Sequence, residues 1–446
     1  MYKMSKFVIT IEINKDEILL FSTLTTAIII LEIKLYQEIF VNNNFSFIKE
    51  VEELLNSSIL IPFDFDENKY LSDIRINTMK CANENDASYY MITPTMNCNA
   101  RCYYCFEEGA HRKNMELETA KNIIDYIVLH KSSDVITIHW FGGEPLLSID
   151  VISYISEQLM LNNISFVSKI TTNGYLLDEK ISYKAKQEWC VETIQITIDA
   201  IGDEYNKIKN YKNSINNPFD IVIRNIHNAA KNNINIRLRI NINPNEVVQA
   251  KKTISFLKTE FDKYGNVAVY FAPIDSPSEC IPSLADSFTN SLEHPVITLL
   301  EFEEGYSTLG FSPQIALYED DTARILSKYY LYPIPMSCVG VCSNSLTIDS
   351  LGDLYVCHRL LGQGSEYSCG NIKDGFIQNK ITDYYRSSDL SYSECNSCNL
   401  LPLCQGGCKF RAWKYKDKKN SACSPIKGVA DKILIKAIKE LNIDLG

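Results

Sequence analysis

The sequence lacks an excess of positive charge: 44 Lys and Arg stand against 55 Asp and Glu, a net charge of -11 over 446 residues. Phosphate backbones demand a basic surface, so nucleic acid is excluded as the default partner, although a local basic groove stays open. Long apolar runs are missing too. The longest, around Ala27 to Leu31, stops at Glu32 and is too short to span a bilayer. No signal-peptide core forms, because Glu12, Lys15, Asp16 and Glu17 break the apolar pattern of the first twenty residues. A cytoplasmic protein with no membrane partner is expected. Internal repeats and low-complexity tracts are also absent. With 46% hydrophobic and 22% charged residues, the balance is that of a globular chain of two or three domains.

Cysteine is what the chain has in plenty. Fifteen in a cytoplasmic protein ask for a role other than disulfides. Nine fall between Cys338 and Cys423, three are Cys98, Cys102 and Cys105, and Cys81, Cys190 and Cys280 stand apart. The last three read as small buried hydrophobes, the common fate of a lone thiol.

Cys98-Asn-Ala-Arg-Cys102-Tyr-Tyr-Cys105 has the spacing C-x3-C-x2-C. It supplies three thiolates where a tetrahedral zinc site or a fully ligated cubane takes four. A four-iron cluster so held keeps one iron open for a ligand. The competing reading is a buried helix with structural cysteines at i, i+4 and i+7. The run resembles the cluster loop of radical S-adenosylmethionine (AdoMet) enzymes. That resemblance implies an open iron that chelates AdoMet and cleaves it reductively to a 5′-deoxyadenosyl radical.

Strand and helix alternate from Tyr89. Strands are expected at 89–94, 135–141, 164–172, 192–198, 234–240 and 267–271, with helices at 117–130, 149–162, 178–188, 219–232 and 247–264 between them. Six βα units imply a parallel sheet covered by helices. They fall short of an eight-stranded barrel, so the fold class is α/β, a partial (β/α)6 barrel over residues 86–275. In front of it, residues 1–85 read as a hairpin, a third strand and a helix near 47–56. This small α+β module resembles the winged-helix peptide-recognition element of peptide-modifying radical enzymes. Residues 276–336 form a bridge with helices near 296–304 and 321–330. A cysteine-rich domain over 337–430 and a C-terminal helix over 431–446 follow.

Chemistry in such barrels sits at the C-terminal ends of the strands, where Cys98–Cys105 falls. Gly142-Gly143-Glu144 after the second strand lets backbone approach a ligand closely, and Glu144 can orient an ammonium. Its spacing is similar to the family's GGE motif, which contacts the methionyl amino group. Asn173 ends the third strand, and Thr197 and Asp199 end the fourth. The resemblance gives Thr197 and Lys209 the places of a serine and an arginine that contact AdoMet. Lys209 keeps the charge but loses the bidentate geometry. Tyr104 matches an aromatic that packs on adenine; as a plain residue it reads as core.

Cys342-x9-Gly352-x4-Cys357, then Cys395-x2-Cys398-x5-Cys404-x3-Cys408 and Cys423, resembles the SPASM domain, which holds two auxiliary 4Fe-4S clusters. The resemblance implies Cys342, Cys357 and Cys408 for one cluster, with Cys338 a candidate fourth ligand; Cys338 lies only four residues before Cys342, and the alternative is an open iron there. Cys395, Cys398, Cys404 and Cys423 would hold the other. Cys369 is unassigned, and a zinc ribbon at Cys395, Cys398, Cys404 and Cys408 is the competing reading. Cofactors are thus expected to be three 4Fe-4S clusters and AdoMet.

The architecture implies a peptide or protein maturase. Sulfatase maturases carry an Asp after the auxiliary cysteine, where this chain has His358. Cys357-His358-Arg359 looks more like peptide maturases that cross-link ribosomally made precursors through thioether or carbon–carbon bonds. His358 is the candidate catalytic base; a hydrogen bond to the cluster is its bland role. Expected partners are a precursor peptide with its leader and a low-potential flavodoxin or ferredoxin. Alternatives are an anaerobic protein maturase of sulfatase-maturase type and a non-catalytic iron–sulfur carrier.

Overall fold

A computed structural model describes residues 1–80, 87–212, 217–242, 247–274, 320–329, 331–334, 338–341, 344–415, 422–424 and 426–443. The helix expected at 296–304, and Cys81, Cys280 and Cys342, lie outside these residues.

The chain opens with strands β1 (Tyr2–Met4), β2 (Val8–Glu12), β3 (Glu17–Ser22) and β4 (Ile28–Glu32). The β2–β3 turn closes because the Asn14 side-chain oxygen accepts from the amides of Asp16 and Glu17 at 2.8 and 3.0 Å. β2, β3 and β4 form an antiparallel meander, and β5 (Leu60–Pro62) pairs antiparallel with β1. The meander is apolar on both faces. Val8, Ile18, Leu20, Ile29 and Leu31 pack with Val51 and Leu54 of the helix Ile48–Asn56. Ile9, Leu19 and Phe21 belong instead to the main core shared with the barrel. A helix at Glu67–Lys80, not foreseen from its pattern, packs Leu71 against Phe7 and Leu401.

The barrel runs β6 (Tyr89–Thr95), β7 (Val135–Gly142), β8 (Ser165–Thr172), β9 (Val191–Thr197), β10 (Asn235–Ile242) and β11 (Val267–Pro273). All are parallel and adjacent in chain order. Alternation sets the two faces: Ile136, Ile138 and Trp140 are buried under the helices, while Thr137, His139 and Phe141 turn to the concave side. The helices lie where expected to within a few residues, with an added one at Gly202–Lys209.

The sheet does not end at β6. β12 (Ser345–Ile348), from the cysteine-rich region, pairs parallel with β6, and β13 (Leu354–Tyr355) pairs antiparallel with β12. The result is one eight-stranded sheet, with Cys357 two residues beyond its last strand. The bridge helix spans Asp321–Lys328 and the C-terminal helix Ala430–Glu440, the latter against β2. Cys190 departs from the buried reading: it is half-buried, in a left-handed turn with φ +52 that leads into β9.

Candidate active site

Cys98, Cys102 and Cys105 sit on the loop leaving β6, pinned from three sides. The amides of Gly143 and Glu144 donate to Thr95 O at 3.2 Å and Asn97 O at 2.8 Å. The Arg101 amide donates to Lys209 O and the Lys212 amide to Asn99 O, both at 2.8 Å. The Asn173 side-chain amide donates to the Asn99 side-chain oxygen at 2.6 Å. Both glycines are required. A Cβ at Gly143 would meet Asn97 O at 2.2 Å; one at Gly142, where φ is +103, would meet the Thr93 methyl at 2.2 Å.

Burial pushes the thiols up, to about 12 at Cys98 and about 11 at Cys105, and the three also disfavour one another's ionisation. The Ala100 amide approaches Cys98 Sγ at 3.4 Å, and the Lys209 ammonium favours the thiolate of Cys102. Among the described residues no group of His, Cys, Asp or Glu converges tightly enough for a single metal ion.

Glu144 is fully buried. Its oxygens accept from Thr172 Oγ1 at 2.7 Å, the Leu146 amide at 3.0 Å and the Asn173 amide at 2.8 Å. Burial pushes its pKa up to about 7 against those bonds. The carboxylate therefore locks the ends of β7 and β8 together. The fourth strand end holds a second locked group. Lys209, 2% exposed, pairs with Asp199 at 2.8 Å. The Tyr104 hydroxyl accepts from Lys209 Nζ at 2.8 Å and donates to Asp199 Oδ2. Burial opposes the Lys209 charge, but Asp199, Tyr104 and Cys102 outweigh it and hold the ammonium well above its ordinary pKa. Lys209 and Tyr104, both expected at AdoMet, are thus brought together around Asp199, with Cys102 close by. Thr197 lies half-buried at the end of β9.

The second cysteine set divides in two. Cys338, Cys357 and Cys408 sit together: burial pushes Cys338 up to about 12 and Cys357 up to about 11, and neighbouring thiols add to it. Cys395, Cys398, Cys404 and Cys423 line one small cavity with Tyr392 and Lys427. Cys408 is thus apart from Cys395 and Cys398, against the zinc-ribbon reading. Cys369 is wholly buried in the core.

His358, carried past β13, turns onto the concave face with its ring 5.4 Å from Phe141 and 6.1 Å from Phe106. Burial first, then Arg359, His139 and Arg239, hold its pKa down at about 3, so it stands neutral. His139 is also held down at about 3; its ring nitrogens meet the Tyr89 hydroxyl at 2.6 Å and Thr171 Oγ1 at 2.9 Å. Sequence reasoning missed His139 and Arg239. Their signal was present in the alternating strands, where they fall opposite the isoleucines.

An open parallel barrel with a three-thiol loop at the end of its first strand is the arrangement the described residues build. Residues 92–257 match the family model described as the radical SAM superfamily, and the chain carries a radical SAM domain. The chain is 26% identical over 340 residues to a cysteine-type anaerobic sulfatase-maturating enzyme of Clostridium novyi, covering 70% of this chain and 85% of that protein. In fold it is similar to native anSMEcpe with bound AdoMet, with a TM-score of 0.60 at 16% identity over 79% of this chain and 99% of that one. It is also similar to Streptococcus suis SuiB bound to precursor peptide SuiA, with a TM-score of 0.52 at 16% identity over 95% of this chain and 100% of that one.

Proposed function

We propose that this chain is a radical AdoMet maturase that installs a thioether or carbon–carbon cross-link in a ribosomally made precursor peptide. The observation that carries the reading is the β12–β13 extension. It hangs the Cys338, Cys357 and Cys408 set on the barrel edge and turns His358 onto the concave face that the Cys98–Cys105 loop overlooks. A redox centre beside a radical site is what an oxidative cross-link needs, since one hydrogen leaves as an atom and a second electron must go elsewhere. A carrier without catalysis has no use for the locked strand ends at Glu144 and Lys209.

Cys98, Cys102 and Cys105 would hold a 4Fe-4S cluster, with AdoMet on its open iron. When bound, the pair supplies a 5′-deoxyadenosyl radical. Cys338, Cys357 and Cys408 would hold one auxiliary cluster, to which the resemblance adds Cys342, and Cys395, Cys398, Cys404 and Cys423 would hold the other. The turn at Gly142 and Gly143 admits the methionyl end along its backbone, and Lys209, Asp199 and Tyr104 brace the loop behind. His358 presents a neutral nitrogen to the substrate space and accepts a proton there once the surrounding positive field is offset. A flavodoxin or ferredoxin is the fitting reductant.

The test is anaerobic reconstitution with dithionite. The loaded chain is expected to carry about twelve irons and to release 5′-deoxyadenosine, and the Cys98→Ala/Cys102→Ala/Cys105→Ala chain to keep roughly eight irons and release none. Retention of the full iron load by that variant overturns the loop assignment. Co-expression with the short reading frames beside its gene should yield a peptide lighter by two hydrogens. A mass change on a sulfatase instead would favour the protein-maturase reading.

A further inference from the structure

The concave face below the cysteine loop carries cations that pair with no carboxylate among the described residues. Lys169 on β8 and Arg237 and Arg239 on β10 alternate with core residues such as Ile170 and Leu238, and so share the face of His139 and Thr171. His139 and Lys169 are direct neighbours across β7 and β8, and Arg239 and Tyr270 across β10 and β11. Lys169 and Arg239 are half-buried, and Arg237 lies at the rim. Among the described residues, no carboxylate comes within ion-pair distance of any of the three. Glu192, at the bulge opposite Lys169, offers only a longer-range attraction. Lys209 higher on the barrel shows the contrast, with Asp199 at 2.8 Å.

Like charges gathered on a half-buried surface repel and lose hydration, and burial together with Arg237 already weakens the hold of Lys169 on its proton. Arg239 is aimed rather than loose. Its Nε donates to the Asn241 side chain at 2.8 Å, and Tyr270, itself donating to Gln195, stands beside it. Arg237 and Arg239 present two guanidinium forks on one face of β10, and the Lys169 ammonium, 6.0 Å from the centre of the Tyr89 ring, adds a point charge from β8; forks of this kind suit a planar carboxylate.

We propose that Lys169, Arg237 and Arg239 bind a carboxylate of the peptide substrate, borne by an acidic side chain or by the C-terminus, and thereby seat the residue to be modified beneath the Cys98–Cys105 loop. The inference rests on the peptide reading above and specifies its substrate: a peptide with an acid at a fixed distance from the reacting residue.

The experiment pans a randomised peptide library against the full chain, anaerobically reconstituted with AdoMet. Enriched peptides are then remade with each acid changed to its amide and with the C-terminus free or amidated. The four versions separate a side-chain acid from a terminal one. Removing the responsible carboxylate is expected to weaken binding by at least about tenfold. Arg239→Gln and Lys169→Met chains should bind acid and amide versions alike, and Arg239→Lys should retain part of the preference; thermal unfolding checks that each variant is folded. Enriched peptides that keep their affinity as amides on the native chain overturn the carboxylate site and leave the peptide reading standing. If no peptide enriches while the chain still cleaves AdoMet, the peptide reading falls and takes the inference with it. Loss of peptide binding to millimolar inorganic triphosphate but not to glutamate would assign the patch to phosphate and also overturn it.

Discussion

Lys209 and Asp199 form a charge pair that is nearly inaccessible to solvent, with side chains 2% and 3% exposed. Removing one partner strands the other in a medium that solvates it poorly, so Asp199→Asn should cost about 3–5 kcal/mol. Urea unfolding checks this, and the Asp199→Asn/Lys209→Met double variant should recover a large part of the loss. A second residue-scale prediction concerns pH. Burial raises Glu144 and Glu107 to about 7, so the folded chain holds protons that the unfolded chain has shed, and stability drains as pH rises from about 4.5 to 7. His139 and His358 are lowered to about 3, so the unfolded chain takes up protons that the folded one refuses, and stability drains as pH falls below about 6.5. The two slopes oppose each other near pH 5–6. Glu144→Gln removes one acid, so the Glu144→Gln chain, compared with wild type and both without iron, should lose stability more steeply on acidification from pH 6.5 to 5, read by urea midpoints. At this scale the grouping of the cysteines was legible, since Cys338, Cys357 and Cys408 sit together and Cys395, Cys398, Cys404 and Cys423 line one cavity. The commitment of Glu144 and Lys209 to protein partners was not, since a side chain's partner depends on which strand ends the barrel brings together.

The strands and helices of the barrel were legible almost to the residue, as at Leu117–His130, because inward and outward faces impose clean periods on the chain. The helices at Glu67–Lys80 and Gly202–Lys209 were not. The first has its apolar side chains at mixed spacings, and the second is short and largely polar, held by what it touches. The β7 turn makes the sharpest element-scale prediction. Gly143→Ala drives a methyl onto Asn97 O, whereas Gly109→Ala at φ +87 meets nothing within 4 Å and pays only backbone strain. Gly143→Ala should therefore prevent iron loading at the first site, lowering the total toward roughly eight irons, while Gly109→Ala loads fully; iron analysis of the reconstituted variants decides it.

For the whole molecule, five regions were read along the chain, yet their packing crosses every boundary. Ile9, Leu19 and Phe21 share a core with the barrel, and Thr23 Oγ1 and Lys6 Nζ donate to Asn399 O at 2.5 Å and Asn396 O at 2.8 Å. A sequence shows where hydrophobic faces are but not which distant face covers them, so an independent N-terminal module was the natural expectation. Deleting residues 1–80 should consequently lower the melting temperature and reduce both solubility and AdoMet cleavage, rather than sparing cleavage. Thermal melts and 5′-deoxyadenosine yield of the truncated chain check this.

The pairing of β12 with β6 has a consequence in time. During synthesis β6 leaves the ribosome some 250 residues before its outer neighbour, since Tyr89 pairs with Ser345. Until then the first barrel strand is an open edge, able to pair with another nascent chain. Partner strand and Cys357 arrive on the same stretch of polypeptide, so closing that edge and bringing Cys357 to the barrel are one event. Chains interrupted before residue 345 should aggregate through β6, and full-length chains should resist it even before they meet iron.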